Sequence, residues 1–390
     1  MGPLAGFRLI EIAGIGPTQF AGMLLSDMGA DVVRIDRIDA PRTGVELPER
    51  FNLMNRGRRS MAVDLKHEDG AGILLRLVEG ADALFEGFRP GVMERLGLGP
   101  EECLARNRRL VYGRMTGWGQ DGPLAKSVGH DPNYIALAGA LHTIGPADRP
   151  PALPLNLLGD FAGGALYLVV GLLAALLESK KSGRGQIVDA SMVDGVASLT
   201  TVFHGLRAAG LWSLPRGRNV FDGGAPFHRT YETADSKYVA VGALELPFQV
   251  ALIEGLGLPA EDIGRWMKPE EWPACSEEVE TIVRTRTRDE WCTLLEGTKA
   301  CLSPVLSFGE ASEHSHNKER RTFVDFDGIT QPAAAPRFGR TPSELRRPPS
   351  ERGADTLAIL RDSGFSSEEI ARLLAAGSVS AAHEPGQGVE

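Results

Sequence analysis

The chain has 390 residues, 43% of them hydrophobic and 24% charged, with a formal net charge of −9. That length admits two domains with a sizeable core, and the composition excludes a disordered, collagenous or membrane-embedded chain. The acidic balance, with no basic stripe, excludes a general nucleic-acid binder and otherwise means solubility.

The first 200 residues alternate strand and helix signals. Leu9-Ile10-Glu11-Ile12 reads as a strand, Gln19 to Asp27 as a helix ended by Gly29, and Asp31-Val32-Val33-Arg34-Ile35 as the next strand. Further strands are expected at 83–85, 110–114 and 186–189, with helices at 67–79 and 161–178. This βαβ rhythm predicts an α/β fold, a parallel sheet covered by helices on both faces. The longest apolar run, Phe161 to Leu177, falls short of the roughly 20 residues of a membrane span and reads as a buried helix.

The rhythm breaks after about residue 197, so 1–197 is expected to be a large domain and 198–224 a linker. A hairpin signal follows, Thr230-Tyr231-Glu232-Thr233 and Tyr238-Val239-Ala240-Val241-Gly242 around a turn at Ala234-Asp235-Ser236. With helical segments near 247–256 and 288–296, residues 225–320 read as a smaller α+β domain. Residues 321–378 are expected to return to the large domain. There Ser366 and Glu369 form a capping box for a helix ending at Gly377, and 379–390 are expected to be a disordered tail. The cysteines Cys103, Cys275, Cys292 and Cys301 show no Cys-x-x-Cys spacing, which argues against disulfides and zinc. No secretory signal or peroxisomal address is visible, so a cytoplasmic protein with no membrane and no nucleic-acid partner is expected.

Several residues could carry chemistry. Gly14-Ile15-Gly16 follows a strand and Asp36 ends the next, as in a dinucleotide site. However, the third glycine position holds Gln19, Pro17 stands at the helix start, and Arg37 follows Asp36, which argues against a nicotinamide cofactor. Arg37, Arg56, Arg58, Arg59, Lys66, Arg89 and Arg95 border expected strand ends. Each alone reads as an ion-paired surface residue; together they fit a ligand with several phosphates. Asp160, in Gly159-Asp160-Phe161-Ala162-Gly163-Gly164, reads as the N-cap of the apolar helix, with Gly163 and Gly164 letting a ligand approach the backbone. It is either a plain cap or part of a site where helix N–H groups stabilise an oxyanion. His130, beside Asp131, is either structural or a general base oriented by a carboxylate. Glu245 alone reads as a surface residue, and His314-x-His316 lacks a third ligand, so no metal site is expected.

These features occur in an order that resembles the family III CoA-transferase (CaiB/BaiF-type) superfamily and, within it, the α-methylacyl-CoA racemases. The matching segments include Gly6-Phe7-Arg8-Leu9-Ile10-Glu11, Gly29 through Asp36, Asn55-Arg56 through Asp64-Leu65-Lys66, and Glu86-Gly87-Phe88-Arg89-Pro90-Gly91-Val92. Gly117-Trp118-Gly119-Gln120, Gly129-His130-Asp131, Asn156-Leu157-Leu158-Gly159-Asp160, Asp222-Gly223-Gly224-Ala225-Pro226 and Ser303-Pro304-Val305-Leu306 also match, so the likeness covers roughly 1–375. It implies a Rossmann-like large domain, a smaller α+β domain and an interlocked homodimer, with Glu245 reaching His130 across the subunits. It implies no cofactor beyond the CoA moiety of an acyl-CoA substrate.

In the transferases of this superfamily the aspartate matching Asp160 is a nucleophile; in the racemases it is a proton-transfer base, and a histidine matching His130 is the other. His130 within Gly-His-Asp, and Gly242-Ala243-Leu244-Glu245 where transferases carry a glycine-rich lid loop, favour the racemase. The implied reaction is 1,1-proton transfer on a 2-methylacyl-CoA through an enolate, with His130, oriented by Glu245, on one face and Asp160 on the other. The CoA and thioester contacts implied are Ile15, Arg37, Val63, Asp64, Leu65, Lys66, Gly87, Arg89, Arg95, Gly129, Asp131 and Tyr134. The alternative is a transferase moving CoA between carboxylic acids.

Overall fold

A computed structural model describes residues 2–39 and 47–382. The chain divides into two compact units, one from Met1–Ala138, Asn156–Leu199 and Arg320–Glu390, the other from Gly139–Leu155 and Thr200–Glu319.

In the first unit the chain runs β1 (Arg8–Ile12), α1 (Pro17–Asp27), β2 (Asp31–Asp36), β3 (Arg59–Val63), α2 (Gly70–Glu79) and β4 (Ala83–Glu86). It continues through α3 (Val92–Arg95), α4 (Pro100–Arg106), β5 (Val111–Thr116), α5 (Asp131–Leu137), a wide-turn π-helix (Leu157–Ala165), α6 (Leu166–Ser182), β6 (Ile187–Ser191) and α7 (Met192–Leu199). The sheet order is β3-β2-β1-β4-β5-β6, all parallel, with Val379–Ser380 added antiparallel beside β3. The chain winds outward from β1 in one direction and from β4 in the other. This leaves a crevice beyond the carboxyl ends of β1 and β4, where sheets of this kind bind ligands.

Strand alternation explains why both faces of the sheet are covered. Ile10, Ile12, Met61 and Leu84 pack with Leu74 and Leu77 of α2 and with Ile359, Leu360 and Leu373 near the C-terminus. Their neighbours Leu9, Val32, Ala83 and Phe85 pack with Ala21 and Leu25 of α1 and with Leu168, Leu172 and Leu176 of α6. The apolar run therefore forms a core helix, although not one buried all round: Val170 and Leu177 are exposed.

β3 is the strand that the alternation signal misses. Met61 and Val63 enter the core, but Ser60 is turned to polar work, donating to Asp36 (2.6 Å) and accepting from the Gly353 N–H (2.8 Å). The expected disordered tail is corrected at its start. Val379 and Ser380 pair with Val63 and Ala62, covering an edge whose backbone groups would otherwise lack partners, while 383–390 lie outside the described residues. The helix before that strand begins as its capping box predicts, with Ser366 Oγ accepting from the Glu369 N–H at 3.1 Å.

The second unit holds the expected hairpin, His228–Glu232 against Tyr238–Gly242, with a third strand Leu302–Pro304 beside it. Trp266, Trp272 and Trp291 fill its core. Residues 139–155 belong here rather than with the large domain. Arg216 ties them down by donating to the carbonyls of Pro146 (3.0 Å), His142 (2.8 Å) and Arg149 (2.6 Å). The expected linker is likewise structured in part, as helix Thr201–Ala208.

At the end of β4, Glu86 is fully buried. It accepts from the Phe88 N–H (2.6 Å) and from Arg114 Nε (3.2 Å), and Arg114 also pairs with Glu94 (2.8 Å). Burial pushes its carboxyl up from 4.5 to about 7, against the opposing pull of Phe88 and Arg114. Between these values the folded chain retains a proton that the unfolded chain has lost. The stability present at lower pH is therefore lost as pH rises through 7. Glu86→Gln keeps an acceptor for Phe88 and removes this loss. Urea unfolding from pH 4.5 to 8 should show the variant gaining on the wild type by on the order of 3 kcal/mol. Parallel pH profiles contradict the assignment.

Candidate active site

The crevice between β1 and β4 opens into a cavity of about 650 Å³ in the first unit. Ala13, Gly14 and Ile15 after β1, Gly87, Phe88 and Arg89 after β4, and Gly117 and Trp118 after β5 line it. Gly129, His130 and Tyr134 at the start of α5 and Asp160 from the π-helix complete the reacting end. Thus Ile15, Gly87, Arg89, Gly129, His130, Tyr134 and Asp160, scattered in sequence, share one wall.

Local chemistry fixes each element. Pro17 opens α1, where a missing N–H costs nothing, and Gly16 before it has φ +76°. A side chain at Gly16 would lie 3.0 Å from Asp160 Oδ2, so glycine brings the start of α1 against that carboxylate. The N–H groups of Thr18 and Gln19 in this first turn have no acceptor within the helix. The Thr18 hydroxyl and Trp118 Nε1, both on the cavity wall, are buried without a hydrogen-bond partner among the described residues.

His130 is the residue preceding α5. Its backbone is extended and its N–H donates to Asn133 Oδ1 at 2.9 Å, leaving the ring exposed to the cavity. Tyr134, one turn on, donates its hydroxyl to the Gly129 carbonyl and meets Trp118 edge-on at 4.7 Å. A Cβ at Gly117 would occupy the space of the Tyr134 ring, which is why that turn carries glycine.

Asp160 is not the N-cap expected of it. It lies inside the π-helix, a widened turn of the kind found at functional sites, with Asn156 Nδ2 donating to Oδ2 at 3.1 Å. Phe161 stacks on Phe20 of α1 at 4.7 Å. Gly163 and Gly164 serve packing rather than ligand approach: a Cβ at Gly163 would meet Val196 at 2.6 Å, and one at Gly164 would meet Met192 at 3.0 Å. Burial raises the Asp160 carboxyl above its ordinary range, and the charge of Asp131 adds to this, while Asn156 and His130 oppose it. Burial, and then the charge of Asp160, raises the Tyr134 phenol.

The Asp131 carboxylate is turned to the backbone and not to the ligand cavities. Its side chain is buried, lines neither cavity, and accepts from the backbone N–H groups of Gly159 (2.6 Å) and Asp160 (2.8 Å).

A second cavity of about 620 Å³ shares Ala13, Asp36, Arg37 and Phe88 with the first. Val63, Asp64, Leu65, Lys66 and Arg95 line it. Arg37, Lys66, Arg89 and Arg95 are exposed and form no ion pair among the described residues.

The other three cations of the expected phosphate cluster are committed inside the fold. Arg56 holds Asp27 (2.7 Å), Arg58 holds Glu11 (2.5 Å), and Arg59 bridges Asp31 (2.7 Å) and Asp362 (2.8 Å). Asp36 is likewise paired, with Arg34 at 2.8 Å. Sequence reasoning missed Arg352, which lines the first cavity and donates to the Ile38 carbonyl at 3.4 Å; it comes from a C-terminal loop with no local motif. Glu245 lies on the second unit, exposed, as the residue that caps helix Leu246–Leu256.

A sheet of this order with an acid–histidine cavity at its switch point defines the class. The chain belongs to CoA-transferase family III, whose family model matches residues 4–356. It is 45% identical to the alpha-methylacyl-CoA racemase of Mus musculus over 95% of this chain and 96% of that one. It is 42% identical to the Homo sapiens protein of the same name, with the same coverage of both chains. Its fold matches the crystal structure of a CAIB/BAIF family protein from Brucella suis with a TM-score of 0.78, at 24% identity, covering 93% of this chain and 99% of that one.

The division of the cations can be tested by stability. Arg56→Ala strands the buried Asp27 charge and should cost about 3–5 kcal/mol. Arg37→Ala removes an exposed charge and should change stability by less than about 0.5 kcal/mol. Denaturant unfolding of the two variants checks this, and equal losses would contradict the division.

Proposed function

We propose that this protein interconverts the two epimers of a 2-methylacyl-CoA thioester by 1,1-proton transfer. The observation that carries the proposal is that His130 and Asp160, a ring base and a carboxylate with raised proton affinity, line one cavity from two different elements. The two relatives described above, covering 95% of this chain, support the same reading.

In this mechanism His130 takes the α-proton on one face of the thioester and Asp160 returns a proton on the other, or the reverse. A proton on carbon beside a thioester is too weakly acidic for either base unless the enolate oxygen is stabilised. The N–H groups of Thr18 and Gln19, and that of Asp131 at the start of α5, which have no partner among the described residues, are the candidate donors. Tyr134 and Trp118 shape the wall against which the thioester lies. The CoA phosphates occupy the second cavity against Arg37, Lys66 and Arg95, with Arg89 at the first, and no cofactor beyond CoA takes part.

The proposal includes an interlocked homodimer in which Glu245 of the partner subunit orients His130. Exposed apolar side chains such as Val170 and Leu177 on α6 are the kind of surface that a second copy covers. The free cysteines fit a cytoplasmic location.

In heavy water the wild-type enzyme should introduce deuterium at the α-carbon of either epimer while the CoA ester stays intact. His130→Ala and Asp160→Ala should each lower racemisation by roughly 10²–10⁴-fold in a folded protein. The alternative, CoA transfer through an acyl anhydride on Asp160, predicts instead that hydroxylamine traps an acyl group at Asp160. Trapping without α-proton exchange overturns the racemase reading.

A further inference from the structure

Asp131 is 3% exposed, and its carboxylate is turned away from the cavity. One oxygen, Oδ2, accepts two consecutive backbone N–H groups, those of Gly159 and Asp160, at 2.6 and 2.8 Å. The other, Oδ1, is buried with no hydrogen-bond partner among the described residues. A buried carboxylate is ordinarily paired with a cation or fully hydrogen-bonded, since an uncompensated one costs several kcal/mol. Asp131 forms no ion pair among the described residues. The close approach is built in: a Cβ on Gly159 would fall 2.5 Å from Oδ2.

The groups around Asp160 do not neutralise this charge. From α5 come His130, Asp131 and Tyr134, and from its own segment the neutral Asn156. α1 presents Gly16, with its one acidic residue, Asp27, held by Arg56. On α7, Asp194 is bound to Ser191 at 2.5 Å. Asp189 of β6 accepts from the Gln120 N–H, and Arg114 of β5 is held by Glu86 and Glu94. Among these groups His130 is the only one that can become a cation facing Asp160.

We propose that Asp131 is a positioning residue for proton transfer: its buried carboxylate fixes the peptide that carries Asp160 and sets an uncompensated negative charge behind the Asp160 carboxylate. The proposal rests on the reading of Asp160 as a proton-transfer base. A base that must take a proton from carbon works faster as its proton affinity approaches the operating range. A fixed negative neighbour raises that affinity, and burial of Asp160 raises it further.

Asp131→Asn in the full chain keeps an oxygen acceptor and removes the charge. Two readouts test it: the carbon-13 titration of the Asp160 carboxyl, assigned by loss of its signal in Asp160→Asn, and the acid limb of the pH profile for α-proton exchange. The expected result is an Asp160 midpoint above 3.8 in the wild type. In Asp131→Asn it falls, and the acid limb of kcat moves down with it while KM changes little. An unchanged midpoint overturns the proposal. So does a wild-type midpoint at 3.8, a measurement that stands even where Asp131→Asn does not fold. If Asp160→Ala abolishes racemisation but the Asp160 titration ignores Asp131, the positioning role falls alone. If Asp160→Ala racemises at the full rate, the positioning role and the proposed function fall together.

Discussion

Two peptide N–H groups, of Gly159 and Asp160, converge on a single buried oxygen of Asp131, and the geometry of the cavity follows from that contact. It joins the start of α5 to a segment far along the chain, placing His130 and Asp160 on either side of the join. It also requires glycine at 159, because any side chain would strike the carboxylate. Bonds from a charged acceptor to two successive amides are stronger than neutral ones and fix orientation as well as distance. The widened turn of Leu157–Ala165 then carries the Asp160 side chain toward the start of α1 instead of into the helix stack.

The same division between frame and ligand surface governs the cations. Arg34, Arg56 and Arg58 are buried against Asp36, Asp27 and Glu11, where removing either partner would strand a charge without solvent. These pairs set the relation of β1, β2 and the segment before β3. The cations left exposed, Arg37, Lys66, Arg89 and Arg95, all stand where the strand ends open into the two cavities. An anionic ligand meets charges that the fold has not already used.

The parallel sheet was legible because β1, β2, β4 and β5 alternate between two buried faces and so read as near-continuous apolar runs. β3 was not, since its Ser60 is given to hydrogen bonds with Asp36 and Gly353 and its Arg59 to an ion pair with Asp31. Several residues of the cavity wall could be named from a family likeness, but the contacts that hold them could not. Asp131 looks like a site residue beside His130, and only the fold shows its side chain facing the backbone of Asp160. The glycines after Asp160 look like room for a ligand, and the fold fills that room with Val196 and Met192. Arginines in one stretch of sequence divide into frame and ligand surface by burial, which local sequence does not encode. Arg352 reaches the cavity from a distant loop, and Glu245 belongs to another unit. Neither position carries a local pattern.

The central claim is that two bases serve opposite faces of one carbon. The most direct test incubates each epimer of a 2-methylacyl-CoA separately in heavy water with Asp160→Ala and with His130→Ala, following deuterium at the α-carbon in the recovered starting epimer. The account predicts that each variant labels one epimer only, that the two variants label opposite epimers, and that neither racemises at an appreciable rate. Labelling of the same epimer by both variants, or racemisation at the wild-type rate by either, would contradict it.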